Sequence, residues 1–374
     1  MDHTKRKIEH IEISLRGDIV FENNCKDIFN EVILVHQAFP RLSLKEVDIT
    51  TRFLGYELDA PVLIEAITGG HPQVKIINEA LGKTAGRYRV AIGLGSQRPI
   101  ITSNFNREII ETYRVVREYA REVPVIGNIG ITQLRELDIE IIKELVNVIE
   151  ADALAIHLNP AQEIIQPEGD HDFRSDLLDK VERLVKELGK PVIIKEVGNG
   201  LSMEVVRLFS ERGVRLFDTA GSCGTSWVKI EALRNPDNTL PRKLGSLLHE
   251  LKWGIPTPIS LIETRYSNPS AFIIASGGVW NGVYAAKLIA LGGDIVGFAR
   301  PMLKVFLENG VEGMNRYIEE YITELKFTMF LVGARSIKEL RSSPIVLGPW
   351  IKNYVEQRGI KIGDYISRIR IGVY

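Results

Sequence analysis

Cysteine is nearly absent: Cys25 and Cys223 are the only two in 374 residues, and they lie far apart. That excludes a disulfide framework and any zinc site built mainly on thiolates, and it suits a reducing cytoplasm. No apolar run approaches the roughly 18 residues of a membrane span, and the opening MDHTKRKIEH is charged rather than apolar. A secreted or membrane-embedded protein is therefore not expected. Neither sign of charge dominates, with 47 Lys and Arg against 48 Asp and Glu and a net charge of −1. The basic residues are scattered, which excludes the broad positive face that duplex nucleic acid requires but leaves room for a small anionic ligand. An apolar fraction of 45% and a charged fraction of 25% are those of an ordinary folded, soluble protein.

What the chain does have is repetition. Short apolar runs ending in small or polar residues recur from residue 61: PVLIEA (61–66), VAIGLG (90–95), PVIGNIG (124–130), ALAIHLN (153–159), PVIIKEVG (191–198), VRLFDTAG (214–221), FIIASGG (272–278) and IVGFA (295–299). Between most of them lie segments with apolar residues at i, i+3 and i+4, such as FNREIIETYRVVREYA and LLDKVERLVKELG. Near-continuous apolar strands alternating with amphipathic helices form a parallel sheet covered by helices, and eight units is the number that closes a barrel. The expected fold is an α/β (β/α)₈ TIM barrel over 61–302, with an open doubly wound sheet as the alternative. Residues 1–60 read as an N-terminal extension and 303–374 as a C-terminal helical segment, together one domain. About fifty residues separate the sixth and seventh runs, too many for a βα unit, and are read as an ordered insertion over the active-site face.

In such a barrel the catalytic groups sit where strands end. Those positions are polar here: Thr68, Ser96 with Gln97 and Arg98, Asn128, His157 with Asn159, Lys195 with Glu196, Asp218 with Thr219, and Ser276. Strand alternation puts His157 and Asn159 on one side, and Pro160 stops the strand so that Gln162 and Glu163 project from a loop. The bland reading has His157 and Asn159 satisfying buried backbone groups. The loops after the last two strands carry Gly277, Gly278 and Ala299 with Arg300, where phosphates commonly bind in these barrels. Lys195 faces inward and needs a negative partner, either an anionic ligand or a strand-end carboxylate such as Asp218. Arg6, Lys7 and His10 form a basic cluster that either clamps phosphate or stands in solvent. Arg98 is a second candidate clamp, because a guanidinium grips phosphate oxygens bidentately, or else a structural Arg.

Together these residues resemble the type 2 isopentenyl-diphosphate Δ-isomerases, flavin-dependent enzymes that interconvert isopentenyl and dimethylallyl diphosphate. The resemblance runs through RKIEH, DIFNEVILVHQAFP, ITGG, GLGSQR, GNIG, HLNPAQE with QPEG, KEVGNG, FDTAG with GT-x-W, ETRY and SGG, in the family's order. It implies that Arg6, Lys7, His10, Ser96, Gln97, Arg98, Asn159 and Gln162 hold the substrate and that Glu163 binds Mg²⁺. It implies FMN on Ala66, Ile67, Thr68, Ser96, Asn128, Lys195, Ala220 and Thr225, with Gly277, Gly278, Trp280, Ala299 and Arg300 around its phosphate. The flavin of such enzymes works reduced, usually by NADPH, and its ring is thought to act as acid and base. Lys195 would stabilise the anionic ring, while His157, Gln162 and Glu231 orient the alkene or relay protons. Relatives form tetramers or larger, so a homo-oligomer is expected.

The chain departs from the family pattern at three places. Ile67 stands where Met is usual, Cys223 where the strand-6 loop usually has Gly, and Trp280 where an Arg often contacts phosphate; Arg300 is expected to supply the missing charge. Three rival readings follow from the residues: a flavin oxidoreductase of the 2-hydroxy-acid or dihydroorotate type, an inosine-monophosphate dehydrogenase-like enzyme with Cys223 as nucleophile, and a flavin-binding protein without turnover.

Overall fold

A computed structural model of the protein describes the backbone of residues 3–20 and 22–371, with the side chains of 9–20 and 26–369. All eight apolar runs are strands: β1 (Val62–Ile64), β2 (Ala91–Gly93), β3 (Val125–Gly130), β4 (Ala153–Leu158), β5 (Val192–Glu196), β6 (Leu216–Asp218), β7 (Phe272–Ser276) and β8 (Ile295–Phe298). They pair in parallel in chain order, and β8 returns to β1 with Val296 opposite Val62, closing the barrel. The open-sheet alternative is thereby removed. The strands read as unbroken apolar runs because both their faces are covered: every residue of β1 and β3 is buried.

The helices between strands fall where the periodicity predicts, for example Lys75–Arg87, Arg107–Tyr119, Asp176–Glu187 and Met203–Glu211. The long sixth connection is ordered. It contributes two extra helices, Trp227–Arg234 and Leu240–Glu250, before Thr257–Ser267, whose residues 257–265 are all buried against the barrel. The long C-terminal helix spans Arg300–Leu331, with a break at Gly310 (φ 63°).

Two small sheets knit the extensions to the barrel. Val32–Leu34 pairs antiparallel with Ile345–Leu347, joining the N-terminal extension to the C-terminal tail. A hairpin, Thr51–Phe53 with Tyr56–Leu58, turns at Leu54 and Gly55, both in the left-handed region (φ 50° and 86°). This hairpin lies across the N-terminal mouth of the barrel. Phe53 stacks on Phe272 at the start of β7 at 4.7 Å between centroids, Tyr56 Oη donates to Asp152 just before β4, and the Glu57 carbonyl accepts from Arg89 just before β2.

Candidate active site

The opposite, C-terminal mouth opens into a cavity with about 1490 Å³ of empty space, its open entrance included. Its floor is an ionic cluster. Lys195, from β5, donates to Asp218 on β6 and to Glu65 Oε2 at 3.2 Å. Asp218 also accepts from the Ser276 hydroxyl, whose oxygen accepts the backbone N–H of Ala220. Lys195 therefore has the carboxylate partner considered as its structural alternative, and it also lines the cavity. Glu65, at the end of the first run, joins this cluster; sequence reasoning passed it over, although a carboxylate closing an apolar strand was the available signal.

The strand-4 segment is built as the spacing implies, with one difference. His157 Nδ1 lies 2.8 Å from Asn128 Oδ1, so with that oxygen accepting, the proton of a neutral ring sits on Nδ1. Residues 160–163 form a helical turn rather than a loop, since Pro160 at its first position has the φ a helix needs. That turn aims Gln162 and Glu163 at Asn159, whose Nδ2 donates to Gln162 Oε1 (3.3 Å) and Glu163 Oε1 (2.9 Å). Glu163 Oε2 accepts the Asp170 N–H at 2.7 Å. All of His157, Asn159, Gln162 and Glu163 line the cavity.

The roof comes from two directions. The N-terminal helix His3–Ser14 brings His10 to the helix Trp227–Arg234, where His10 Nε2 meets Glu231 Oε1 at 2.9 Å and its ring packs edge-on to Trp227. Gln162 Nε2 donates to the same Glu231 oxygen at 2.9 Å, and Arg234 binds Glu231 at 2.6 Å and Glu9 at 3.1 Å. Arg6 and Lys7 belong to this helix, but their side chains lie outside the described residues. Glu231 is fully buried and does not face the cavity. Burial raises its proton affinity, but His10, Arg234 and Gln162 outweigh that and hold the carboxyl down at about 2. It acts as the post on which His10 and Gln162 are hung.

A folded-state value below that of the unfolded chain means the carboxylate stabilises the fold above about pH 4.5 and loses that contribution as pH falls toward 2. Native protein should be more stable than Glu231→Gln by about 3 kcal/mol at pH 6, with the gap narrowing to about 1.5 kcal/mol at pH 3. Denaturant titrations at the two pH values check this; an unchanged gap would mean that the carboxylate is not held ionised.

Several expectations are corrected. Gln97 does not reach the cavity: it is wholly buried, its Nε2 donating to the Leu145 carbonyl at 3.2 Å and its Oε1 accepting the Asn128 N–H at 2.7 Å. It braces β3 under His157 instead. Arg300 lines the cavity, but its Nε and Nη2 donate to the carbonyls of Ser14, Leu15 and Arg16, where the N-terminal helix ends and leaves acceptors unpaired. It pins the roof, and in this structure its Nε and Nη2 are taken up by those carbonyls instead of standing free for a phosphate. Cys223, the nucleophile of one rival reading, is completely buried and is not among the residues that line the cavity.

Arg98 differs from the other cations of the wall. It lines the cavity, and no hydrogen bond or ion pair to any described residue engages its guanidinium. The remaining expected contacts also fall on this wall: Ala66, Ile67, Thr68, Ser96, Asn128, Ala220, Thr225, Gly277, Gly278, Trp280 and Ala299. Gly277 and Gly278 have φ of 105° and 76°, and a Cβ on Gly277 would stand 2.3 Å from the Gly221 carbonyl, so only glycine fits this turn. No group of three His, Cys, Asp or Glu side chains suited to a metal occurs among the described residues. Nor is any helix among them long and apolar enough to cross a membrane.

Comparison with known proteins agrees with this geometry. A sequence model of the FMN-dependent dehydrogenase family matches residues 254–347, which include β7, β8 and the glycine turn. Among solved structures, a lactate oxidase from Pediococcus acidilactici (TM-score 0.63, 14% identity, 89% of this chain and 86% of that one) and a mandelate oxidase (TM-score 0.62, 15% identity, 91% and 94%) share the fold. The isopentenyl-diphosphate delta-isomerase of Methanosarcina mazei is 40% identical over 96% of each chain. That of Sulfurisphaera tokodaii is 42% identical over 97% of each, and at this level of identity along nearly the whole sequence the chain belongs to the isopentenyl-diphosphate delta-isomerase family.

Proposed function

We propose that the protein interconverts isopentenyl and dimethylallyl diphosphate, using reduced FMN on the cavity floor and Mg²⁺ beside the substrate diphosphate. The observation that carries this reading is Arg98, whose guanidinium lies in the cavity wall and is engaged by no described residue, whereas Lys195 of the floor is already held by two carboxyls. An arginine kept in that state waits for an anion, and diphosphate oxygens match its fork of donors.

The residues present fit a flavin mononucleotide. Thr68 Oγ1 and Trp280 Nε1 are buried, have no protein partner and belong to cavity-lining residues, as groups awaiting a ligand do. The Gly277–Gly278 turn, with Ala299 just before the helix Arg300–Leu331, forms a backbone cradle of the kind that binds phosphate. Bound there, reduced FMN supplies the proton-donating and proton-accepting ring. Lys195 holds charge at the floor, and Asn128 fixes the His157 proton on Nδ1. Gln162, tethered to Glu231, orients the alkene, and Asn159 and Glu163 hold the other side of the substrate.

Mg²⁺ fits only as a shared ion. Glu163 brings one carboxylate to the cavity, and Mg²⁺ is commonly bound by one or two carboxylates plus substrate phosphates and water. NADPH is proposed as the external reductant. We also propose a homo-oligomer: Leu240, Leu247, Leu251 and Trp253 of the insertion expose apolar side chains at 48–76% of their surface.

The decisive assay incubates purified protein with isopentenyl diphosphate, FMN, Mg²⁺ and NADPH without oxygen. Dimethylallyl diphosphate is the expected product, and omitting Mg²⁺ or reductant should abolish its formation. Bound, reduced FMN without product would overturn the reading.

A further inference from the structure

One buried group of the cavity floor has no part in the chemistry above. Glu65 sits one residue past β1, 7% exposed, with Oε2 on Lys195 and Oε1 buried without any hydrogen-bond partner. Lys195 is shared with Asp218, which is 1% exposed and has a second donor in Ser276. One ammonium thus faces two carboxyls that are nearly buried. It can balance only one of them, and the partner with more hydrogen-bond donors is Asp218.

Glu65 is therefore the carboxyl of the pair that takes a proton first. Burial and the nearby Asp218 charge push it up to about 8, against the pull of Lys195. The neighbouring strands add little: β2 presents Gly93, β7 Ser276 and β8 Gly297, while His157 of β4 bonds to Asn128. Gly297 is a steric requirement of the arrangement, since a Cβ there would stand 2.4 Å from Glu65 Oε1. The strand is carved to admit this carboxyl.

We propose that Glu65 is a redox-linked proton store that takes up a proton when the flavin above it is reduced, freeing Lys195 to balance the anionic ring. The inference rests on the flavin reading given above. In balanced form, oxidised FMN takes two electrons and one proton from a two-electron donor to give the anionic reduced ring, and wherever Glu65 is still ionised its carboxylate takes one further proton from solvent. No bond to substrate forms or breaks in this step. Glu65 is a positioning residue that acts through Lys195.

The test is a potentiometric titration of the FMN-loaded protein with dithionite between pH 6.5 and 9.5. For a two-electron couple a tenfold change in equilibrium constant is about 30 mV, so each proton taken up adds that slope per pH unit. The native protein is expected to follow about 30 mV per pH unit below pH 8, where Glu65 is already protonated, and about 59 mV above it. Glu65→Gln and Glu65→Ala should keep the shallow slope throughout. A shallow slope across the whole range in native protein overturns the inference, as does a steep one that survives in both variants. Protein that takes up no FMN overturns the proposed function and this inference with it. Thermal denaturation of the flavin-free protein gives an independent arm. A carboxyl with a raised value stabilises the fold at low pH and loses that contribution as pH rises from about 4.5 through 8, so native protein should lose more stability over this range than Glu65→Gln. Parallel profiles overturn the proton-holding role.

Discussion

Replacing Arg98 with alanine is expected to lower kcat/KM for isopentenyl diphosphate by about 10²- to 10³-fold, mostly through KM. Hydrogen bonds between charged groups contribute about 1.5–3 kcal/mol each, and truncating one partner of a desolvated pair costs about 2–5 kcal/mol. The fold should not notice the change, because the guanidinium engages no described residue. An unchanged melting temperature with raised KM is therefore the signature of a ligand-binding arginine. Arg98→Lys should recover part of the loss, since it restores charge without the planar fork. Steady-state kinetics with unchanged KM in Arg98→Ala would remove the diphosphate from this wall.

Lys195→Met should have the opposite profile, damaging fold and activity together. It leaves Glu65 and Asp218 facing each other without their cation, and breaking a buried ion pair from one side costs about 3–5 kcal/mol. Activity should fall by about 10²-fold or more, because on the proposed reading the charge at the floor is the fixed electrostatic contribution of the protein to the flavin ring. The two losses separate with pH: without the pull of Lys195, Glu65 keeps its proton to a higher pH than in native protein, so the destabilisation should be smaller at pH 7 than at pH 9.5, whereas turnover is lost at both. Denaturant titration at both pH values is the check. A destabilisation below about 1 kcal/mol would show that Lys195 is not what holds the two carboxyls together.

The barrel was legible because its strands are buried on both faces and its helices on one, so the hydrophobic period changes at each boundary. Runs such as ALAIHLN and PVIIKEVG announce β4 and β5 without ambiguity. The hairpin at 51–58 and the pairing of Val32–Leu34 with Ile345–Leu347 were not legible, since three-residue strands are too short to show alternation and one partner lies three hundred residues away. At the site, sequence order named the wall but not the direction in which each side chain leaves the chain. Gln97 and Arg98 are adjacent, yet one turns under β3 and the other into the cavity. Arg300 has the charge to bind phosphate, but the frayed carbonyls at Ser14–Arg16 are spatial neighbours that spacing could not reveal. Glu65 was hidden for a similar reason: its meaning lies in Lys195 and Asp218, 130 and 153 positions onward.

The hairpin that lies under the barrel bears on traffic through it. Phe53 against Phe272 and Tyr56 reaching Asp152 cover the lower mouth, and the cavity opens at the top. On the proposed reading a flavin seated on Lys195 would lie deepest, with the isoprenoid passing in and out above it. Such a one-door chamber works as last in, first out: product can be exchanged many times while the cofactor stays, and cofactor can leave only after the substrate has gone.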